Sequence, residues 1–358
     1  MVGAGTVFWR TAGGRYGGLH GGLALDLVRH RCLRQHRPGA GMAIRAAGSG
    51  MNPKTAKSAL QKAQSKLQLP LLDLNVREGQ SLELLKELHI LTRDGKINQD
   101  SRRKLKQVQH LVQFIEKILL ELQAEHHHAL TLADHGAGKS YLGFVLYDLF
   151  FKPQQVGHVY GIESRSDLVS QAQALAQRLG FERMTFLNLT VAQASQSPDL
   201  PQRLDVVTAL HACDTATDDA LAFGLLKKAR WMVLVPCCQA EVARHLNSGK
   251  ALSLARTSLA ELWRHPLHTR EMGSHLTNVM RCLYLEACGY QVTVTELVGW
   301  EHSMKNELIL ARYTGQPKRA SAQRLRAILE EFGLQELAAV RYPLLEAAPL
   351  TLGARFES

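Results

Sequence analysis

Cysteine is scarce in this 358-residue sequence, and its spacing is uninformative: the six are Cys32, Cys213, Cys237, Cys238, Cys282 and Cys288, with no C-x-x-C pair. Adjacent Cys237 and Cys238 are poorly placed to bridge each other, so neither a zinc ribbon nor a disulfide framework is indicated. A reducing compartment, the cytoplasm, is the expected location. No apolar run approaches the length of a membrane span, and the first 50 residues hold no uninterrupted apolar region suited to a secretory signal. Internal repeats are also lacking. Acids are nearly missing from residues 1–50, where seven Arg face the single carboxylate of Asp26.

What is present belongs to an ordinary globular protein. The 46% hydrophobic and 21% charged fractions point neither to disorder nor to fibre, and the length suits an α/β core with accessory segments. More than half of the formal charge of +11 sits in residues 1–50, so the rest is only mildly basic. That leader is rich in Gly, Arg and Ala without any period. It reads as a disordered or targeting leader or, given internal Met42 and Met51, as an over-extended start.

Residues 51–128 are expected to be a helical N-terminal segment, with Leu82, Leu85 and Leu88, then Leu105, Val108, Leu111, Val112, Ile115 and Leu119, at three- and four-residue spacing. Between its helices lie Arg93, Lys96, Arg102, Arg103, Lys104 and Lys106, either a solvated face or a surface for phosphates. The period then changes. Strands are expected at 129–133, 156–162, 184–189, 204–210 and 231–235, alternating with helices, which argues for a parallel, doubly wound sheet over 129–315. Two late strands, 291–297 and 307–313, are spaced to pair antiparallel at one edge. Residues 251–288 form a helical insert whose basic connector, Arg264 to Arg270, is either a lid or a plain loop. Residues 316–358 form a tail with an amphipathic helix around Leu325, Ile328 and Leu329.

The strongest local signal is D-x-G-x-G over Asp134, Gly136 and Gly138, at the junction of an apolar strand and a helix. Glycines let the backbone turn close to a ligand, and the following helix offers unpaired N–H donors. Twenty-five residues beyond Gly138, Glu163 ends the second strand, where a carboxylate is placed to accept from ribose hydroxyls. Asn188 and Leu189 at the end of the third strand mark where an adenine edge would lie, although Asn is also a routine turn residue. The loop also reads as A-x-x-x-x-G-K-S, a near match to a phosphate-binding loop. Against that reading, Asp134 would point a carboxylate at the phosphates, and no later strand ends in an obvious magnesium-binding Asp.

After the fourth strand comes His211-Ala212-Cys213-Asp214, and after the fifth comes Pro236-Cys237-Cys238. Together with D-x-G-x-G-K and the acid of G-I-E, these segments resemble class I S-adenosylmethionine-dependent methyltransferases. More narrowly, they are similar to the methyltransferase-domain branch that includes eukaryotic tRNA 2′-O-methyltransferases and several methyltransferase-like proteins. The resemblance covers about Ser101 to Tyr313. It implies a Rossmann-like seven-stranded sheet with S-adenosyl-L-methionine as cofactor. The methionine part would lie at Asp134, Gly136 and Gly138, the ribose at Glu163, the adenine near Asn188 and Leu189, and His211 beside the methyl donor. The N-P-P-[YF] tetrapeptide of methylases acting on exocyclic or amide nitrogens is missing.

For the chemistry, the best-placed base is His211, with Asp214 as a possible orienting partner, though a His after a strand is as often structural. Cys237 or Cys238 is a weaker candidate nucleophile, and the spacing of these groups fits no usual metal site. RNA, tRNA or rRNA, is the expected acceptor. A small molecule, a protein acceptor and a P-loop-like nucleotide-binding protein remain as alternatives.

Overall fold

The computed structural model describes residues 76–77, 79–126, 128–210, 212, 214–236, 239–248, 258–297 and 307–345. All of them fall in the compact unit Ala63–Ser358. The expectations for the leader 1–50, for His211, Cys213, Cys237 and Cys238, and for the first part of the insert lie outside the described residues.

Seven strands form one sheet: β1 (Thr131–His135), β2 (His158–Glu163), β3 (Met184–Asn188), β4 (Val206–Leu210), β5 (Trp231–Val235), β6 (Tyr290–Glu296) and β7 (Glu307–Tyr313). Their order is β3-β2-β1-β4-β5-β7-β6. The first five run parallel, and β7 runs antiparallel between β5 and β6. The Rossmann-like mixed sheet is therefore present, with β6 rather than β7 at its outer edge.

Successive side chains of a strand face opposite ways, and here both faces are covered. Leu132, Val159, Val206, Val233 and Val235 enter one core, while Ala133, Ile162, Val207, Ala209, Met232 and Leu234 enter the other. Against the first face pack α1 (Leu82–Glu87), α2 (Gln99–Glu125), α3 (Tyr141–Leu146) and a π-helical turn (Tyr147–Phe151), which runs on into the short, exposed α4 (Lys152–Gln154), and then α5 (Ser166–Arg178). The second face carries α6 (Val191–Gln196), α7 (Ala216–Leu226), α8 (Glu241–Asn247), α9 (Pro266–Ala287), α10 (Arg319–Glu331) and α11 (Glu336–Arg341).

The helical lead-in shares the first core. Leu105, Leu111, Val112, Ile115 and Leu119 of α2 are buried in it, as the spacing predicts, and each fully buried side chain of this size is worth about 1.5–3 kcal/mol. Ser81 caps α1 by accepting from the Leu84 N–H at 3.1 Å, and its own N–H donates to buried Asp148 at 2.7 Å, fixing the lead-in to the π-helical turn. Asn98 caps α2 by accepting from Ser101 N–H at 2.7 Å.

Some boundaries differ from the sequence reading. β1 begins two residues later than expected and runs to His135, because pairing with β2 continues to His135↔Ile162 and pairing with β4 to Asp134↔Thr208. Asp134 is thus a strand residue rather than part of the turn. The basic connector is not a loop throughout: Pro266 opens α9, so Leu267 to Arg270 form its first turn. Proline suits that place, since its fixed φ is helical and its missing N–H would have had no partner. Residues 258–263 form a 3-10 turn rather than an α-helix. The basic stretch is also not confined between helices, since Arg102, Arg103 and Lys106 stand exposed on the first turns of α2. Among the described residues no helix is long and apolar enough to cross a membrane.

Candidate functional site

Strand order changes direction at β1, whose neighbours are β2 on one side and β4 on the other. In open α/β sheets a crevice forms at such a point, outside the carboxyl ends of the strands. The chain leaves β1 there through a tight turn with Gly136 at φ +66°, Gly138 at +56° and Ser140 at +51°. Ala137 donates its N–H to the Ile162 carbonyl at 3.1 Å, which ties the turn to β2. Glycine takes the left-handed conformation freely, whereas Ser140 adopts it at a cost of about 1–2 kcal/mol.

Asp134 explains what holds Ser140. Its carboxylate is buried, and it accepts from Thr208 Oγ at 2.9 Å, from Ser140 Oγ at 3.4 Å and from the Gly143 backbone N–H. A Cβ at residue 143 would stand 2.5 Å from Ser140 Oγ, so glycine there lets α3 close onto the turn. Burial raises the Asp134 pKa from 3.8 to about 6 despite these three donors. The described bonds of this carboxylate all go inward, to β4 and the start of α3.

Glu163 closes the other side of the turn. Its Oε2 accepts from Gly138 N–H at 2.8 Å, and its Oε1 accepts from the backbone N–H and Nε of Arg165, each at 3.1 Å. Burial alone would raise its pKa, but the bonds from Arg165 and Gly138 outweigh that and hold it below the ordinary carboxylate value. Asn188 donates through Nδ2 to the carbonyls of Glu163 at 3.1 Å and Ser164 at 2.8 Å, so the ends of β2 and β3 are joined. Leu189 beside it is half-buried against the second core. The structure thus brings Gly136, Gly138, Glu163 and Asn188 to one edge of the sheet.

His135 was not singled out by sequence and is the unusual group of this edge. It is 5% exposed, its ring lies 5.3 Å from that of Phe223, and neither ring nitrogen has a partner among the described residues. Burial lowers its pKa from 6.5 to about 4, so the imidazole is neutral at physiological pH. Its signal in the sequence is a polar residue at a position facing the same core as Ala133.

Past β4, Asp214 has φ +52° and its Oδ1 accepts from the N–H groups of Ala240 at 2.9 Å and Glu241 at 3.2 Å, capping α8 from a neighbouring loop. Its Oδ2 accepts from Arg244 at 3.2 Å. Burial pushes its pKa up, but these N–H groups and Arg244 bring it below the ordinary value. The described bonds give Asp214 a structural task; His211, its expected partner, lies outside the described residues.

Beneath these loops runs a buried polar network that sequence reasoning missed. Arg281 of α9, fully buried, donates to both oxygens of Asp218 at 2.8 and 2.6 Å and to the Asp214 carbonyl at 2.9 Å. Its Nη1 donates at 3.0 Å to Asn278 Oδ1, which also accepts from Gln239 at 3.1 Å. Asn278 in turn donates to Glu307 at 2.7 Å. One arginine therefore joins the segments after β4 and β5, the insert helix and the start of β7. The thiols of Cys282 and Cys288 are raised to about 12 by burial and so are not nucleophiles. No group of three or more His, Cys, Asp or Glu among the described residues could hold a metal ion.

No curated protein matches the chain. Among solved structures, it is similar to magnesium protoporphyrin IX methyltransferase from Synechocystis PCC 6803, at 17% identity and a TM-score of 0.35, over 64% of this chain and 94% of that one. It is also similar to the fibrillarin pre-rRNA processing protein of Methanococcus jannaschii, at 11% identity and a TM-score of 0.32, over 53% of this chain and 68% of that one. A family model described as a methyltransferase domain matches residues 103–245, the stretch that runs from the first turns of α2 through β5 to α8 and contains Asp134, Gly136, Gly138, Glu163, Asn188 and Asp214.

Proposed function

We propose that this protein is a class I methyltransferase that uses S-adenosyl-L-methionine, and that its acceptor is RNA. One observation carries the reading: the turn after β1 and the carboxylate ending β2 are joined at the switch point of the sheet by the Gly138 N–H to Glu163 bond of 2.8 Å. The match of residues 103–245 to a methyltransferase domain supports it.

The residues present fit the cofactor. Gly136 and Gly138 leave the turn without side chains where a methionine moiety would pass, and Glu163 is ionised at the crevice, where ribose hydroxyls could donate to it. Arg165, which shares that carboxylate, has an exposed side chain that can move aside, leaving Glu163 its bonds from the N–H groups of Gly138 and Arg165. Asn188 and Leu189 would border the adenine. Asp134 acts one step away, by holding Ser140 and Gly143 so that the turn keeps its shape. When bound, the cofactor supplies an electrophilic methyl group already activated by its sulfonium, so the protein has to align the acceptor, exclude water and receive a proton. His211, at the carboxyl end of β4 in sequence, is the proposed base. Asp214, three residues further on, is held in place by the N–H groups of Ala240 and Glu241.

The same Gly138 bond speaks against the nucleotide alternative. A phosphate-cradling loop directs its N–H groups at anionic oxygens of the ligand, whereas here that donor is given to a protein carboxylate whose charge would repel phosphate. For the acceptor, the exposed Arg93, Lys96, Arg102, Arg103 and Lys106 offer phosphate contacts at the start of α2. Arg102, in the first turn of α2, runs against the helix dipole, a cost that a polyanion would offset. A cytoplasmic location suits the free thiols of Cys282 and Cys288. The test is incubation with methyl-labelled cofactor and, in parallel, total RNA, protein and small-molecule fractions from cells lacking the gene. Label in RNA supports the proposal, and label in another fraction alone overturns the RNA assignment.

A further inference from the structure

A cavity of about 490 Å³ opens at the edge of the sheet opposite the candidate site, among the amino ends of β1, β4 and β5 and the last residues of β7. We propose that it is a second binding site, for a nucleotide, taken either as a free mononucleotide or as one nucleotide of an RNA strand. Nothing in the proposed methyl transfer uses this edge.

Charge is the first argument. Four cations line the cavity, Arg203, Lys228, Arg230 and Arg312, against two carboxylates, Glu125 and Asp205. Glu125 accepts from Arg312 at 2.9 Å, and Glu121, just outside the cavity, pairs with the other terminal nitrogen of the same guanidinium at 2.9 Å. Asp205, 4% exposed, is consumed inside the protein: it accepts from the N–H of Thr131 at 2.8 Å and its hydroxyl at 2.9 Å, and stands 2.9 Å from His128 Nε2 and 3.6 Å from Arg230 Nε. The buried carboxylate therefore orients an imidazole and a guanidinium at the cavity wall while the lining as a whole keeps an excess of positive charge. Guanidinium forks match phosphoryl oxygens, and Lys adds a point charge.

The second argument is shape. A bare phosphate would fill a small part of this volume, and Trp231 and Tyr313 furnish flat apolar wall for a ring. Arg312 already lies 5.7 Å from the Trp231 ring centre, so a cation and an aromatic face are presented together, the pairing that nucleotides meet in protein sites. The third is backbone strain. Lys228 follows α7 at φ +49°, in the left-handed conformation that glycine fills after α5, α9 and α10, at Gly180, Gly289 and Gly333. Keeping a lysine there costs about 1 kcal/mol, and what the lysine adds is a charge in the cavity.

The test is calorimetric titration of the full chain with adenosine monophosphate, inorganic phosphate and a short single-stranded RNA. The chain is first saturated with demethylated cofactor, so that the opposite edge cannot take up the adenosine. K228G retains a residue suited to the backbone and removes the charge, and R203Q removes a second. Thermal melts check that both variants fold. The expected result is binding that weakens about tenfold or more in K228G/R203Q, in line with the loss of charge-assisted bonds. Monophosphate binding that the variant weakens identifies a free-nucleotide site, and RNA binding that it weakens, without monophosphate binding, identifies a strand site. Binding of neither the monophosphate nor the RNA, whether or not inorganic phosphate binds, or binding equal in the chain and its variant, overturns the proposal. Because this edge lies away from Glu163 and Gly138, failure of the unmodified chain to bind cofactor would count against the methyltransferase reading and leave this one standing.

Discussion

Gly138 and Glu163, twenty-five positions apart in the chain, meet through a 2.8 Å bond from backbone N–H to carboxylate at the point where the sheet reverses its strand order. E163Q keeps the size of the side chain and removes its charge, and with it the strong acceptor for Gly138 and Arg165. Cofactor affinity is expected to fall by about tenfold or more, with little change in melting temperature. A large loss of stability with unchanged affinity would make Glu163 a structural residue.

Asp134 predicts a pH dependence. Its folded pKa of about 6 lies above the ordinary 3.8, so its contribution to stability is fully present below pH 3.8 and is lost as pH rises through 6. D134N removes this dependence. The stability of the natural chain relative to D134N should therefore decline between pH 4 and pH 7, by about 3 kcal/mol at most. Urea unfolding at several pH values measures it, and parallel curves for the two proteins would refute the burial argument.

His135 gives the opposite sign. With a folded pKa of about 4 against 6.5, its contribution is present above pH 6.5 and lost as pH falls through 4. H135L should resist acid better than the natural chain. It should also be more stable at pH 7 by about 1–2 kcal/mol, because a buried imidazole with neither nitrogen bonded is replaced by an apolar side chain. A destabilised variant at pH 7 would mean that the imidazole has a partner of its own.

Arg281 and Asp218 form a buried bidentate pair. R281M leaves an unpaired buried carboxylate and should cost about 3–5 kcal/mol, while R281M/D218L should recover much of that loss. Denaturant titration of both checks the order, and equal destabilisation of the two would show that the Asp214 and Asn278 contacts of Arg281 matter more than the pair.

The basic start of α2 is tested by salt. Replacing Arg102, Arg103 and Lys104 with Gln should weaken RNA binding and flatten its dependence on salt, since each lost phosphate contact releases fewer counterions. Unchanged affinity and slope would mark an ordinary solvated helix face.

The sequence was legible where a local period or motif dictates the structure. β5 runs from Trp231 to Val235 as read from its apolar run, and α2 buries the leucines that its spacing selects. Gly136, Gly138 and Glu163 come together because strands β1 and β2 are adjacent and parallel, which the alternation of strands and helices implies. What escaped depends on partners distant in the chain. The apolar run alone puts β1 two residues early, because only its register with Thr208 and Ile162 shows that Asp134 and His135 are in the strand. Nothing local to Arg281 marks it as the hub of a network reaching Asp218, 63 residues away. The bonds of Asp214 to residues 240, 241 and 244 are likewise set by the packing of two loops, while its relation to His211 lies outside the described residues.

The most direct measurement is calorimetric titration of the purified chain with S-adenosyl-L-methionine and with its demethylated product. Both are predicted to bind one per chain in the range of about 1–100 μM, near −6 to −8 kcal/mol, and E163Q should weaken both. Tight binding of magnesium-ATP with no response to either sulfur compound would contradict the methyltransferase reading.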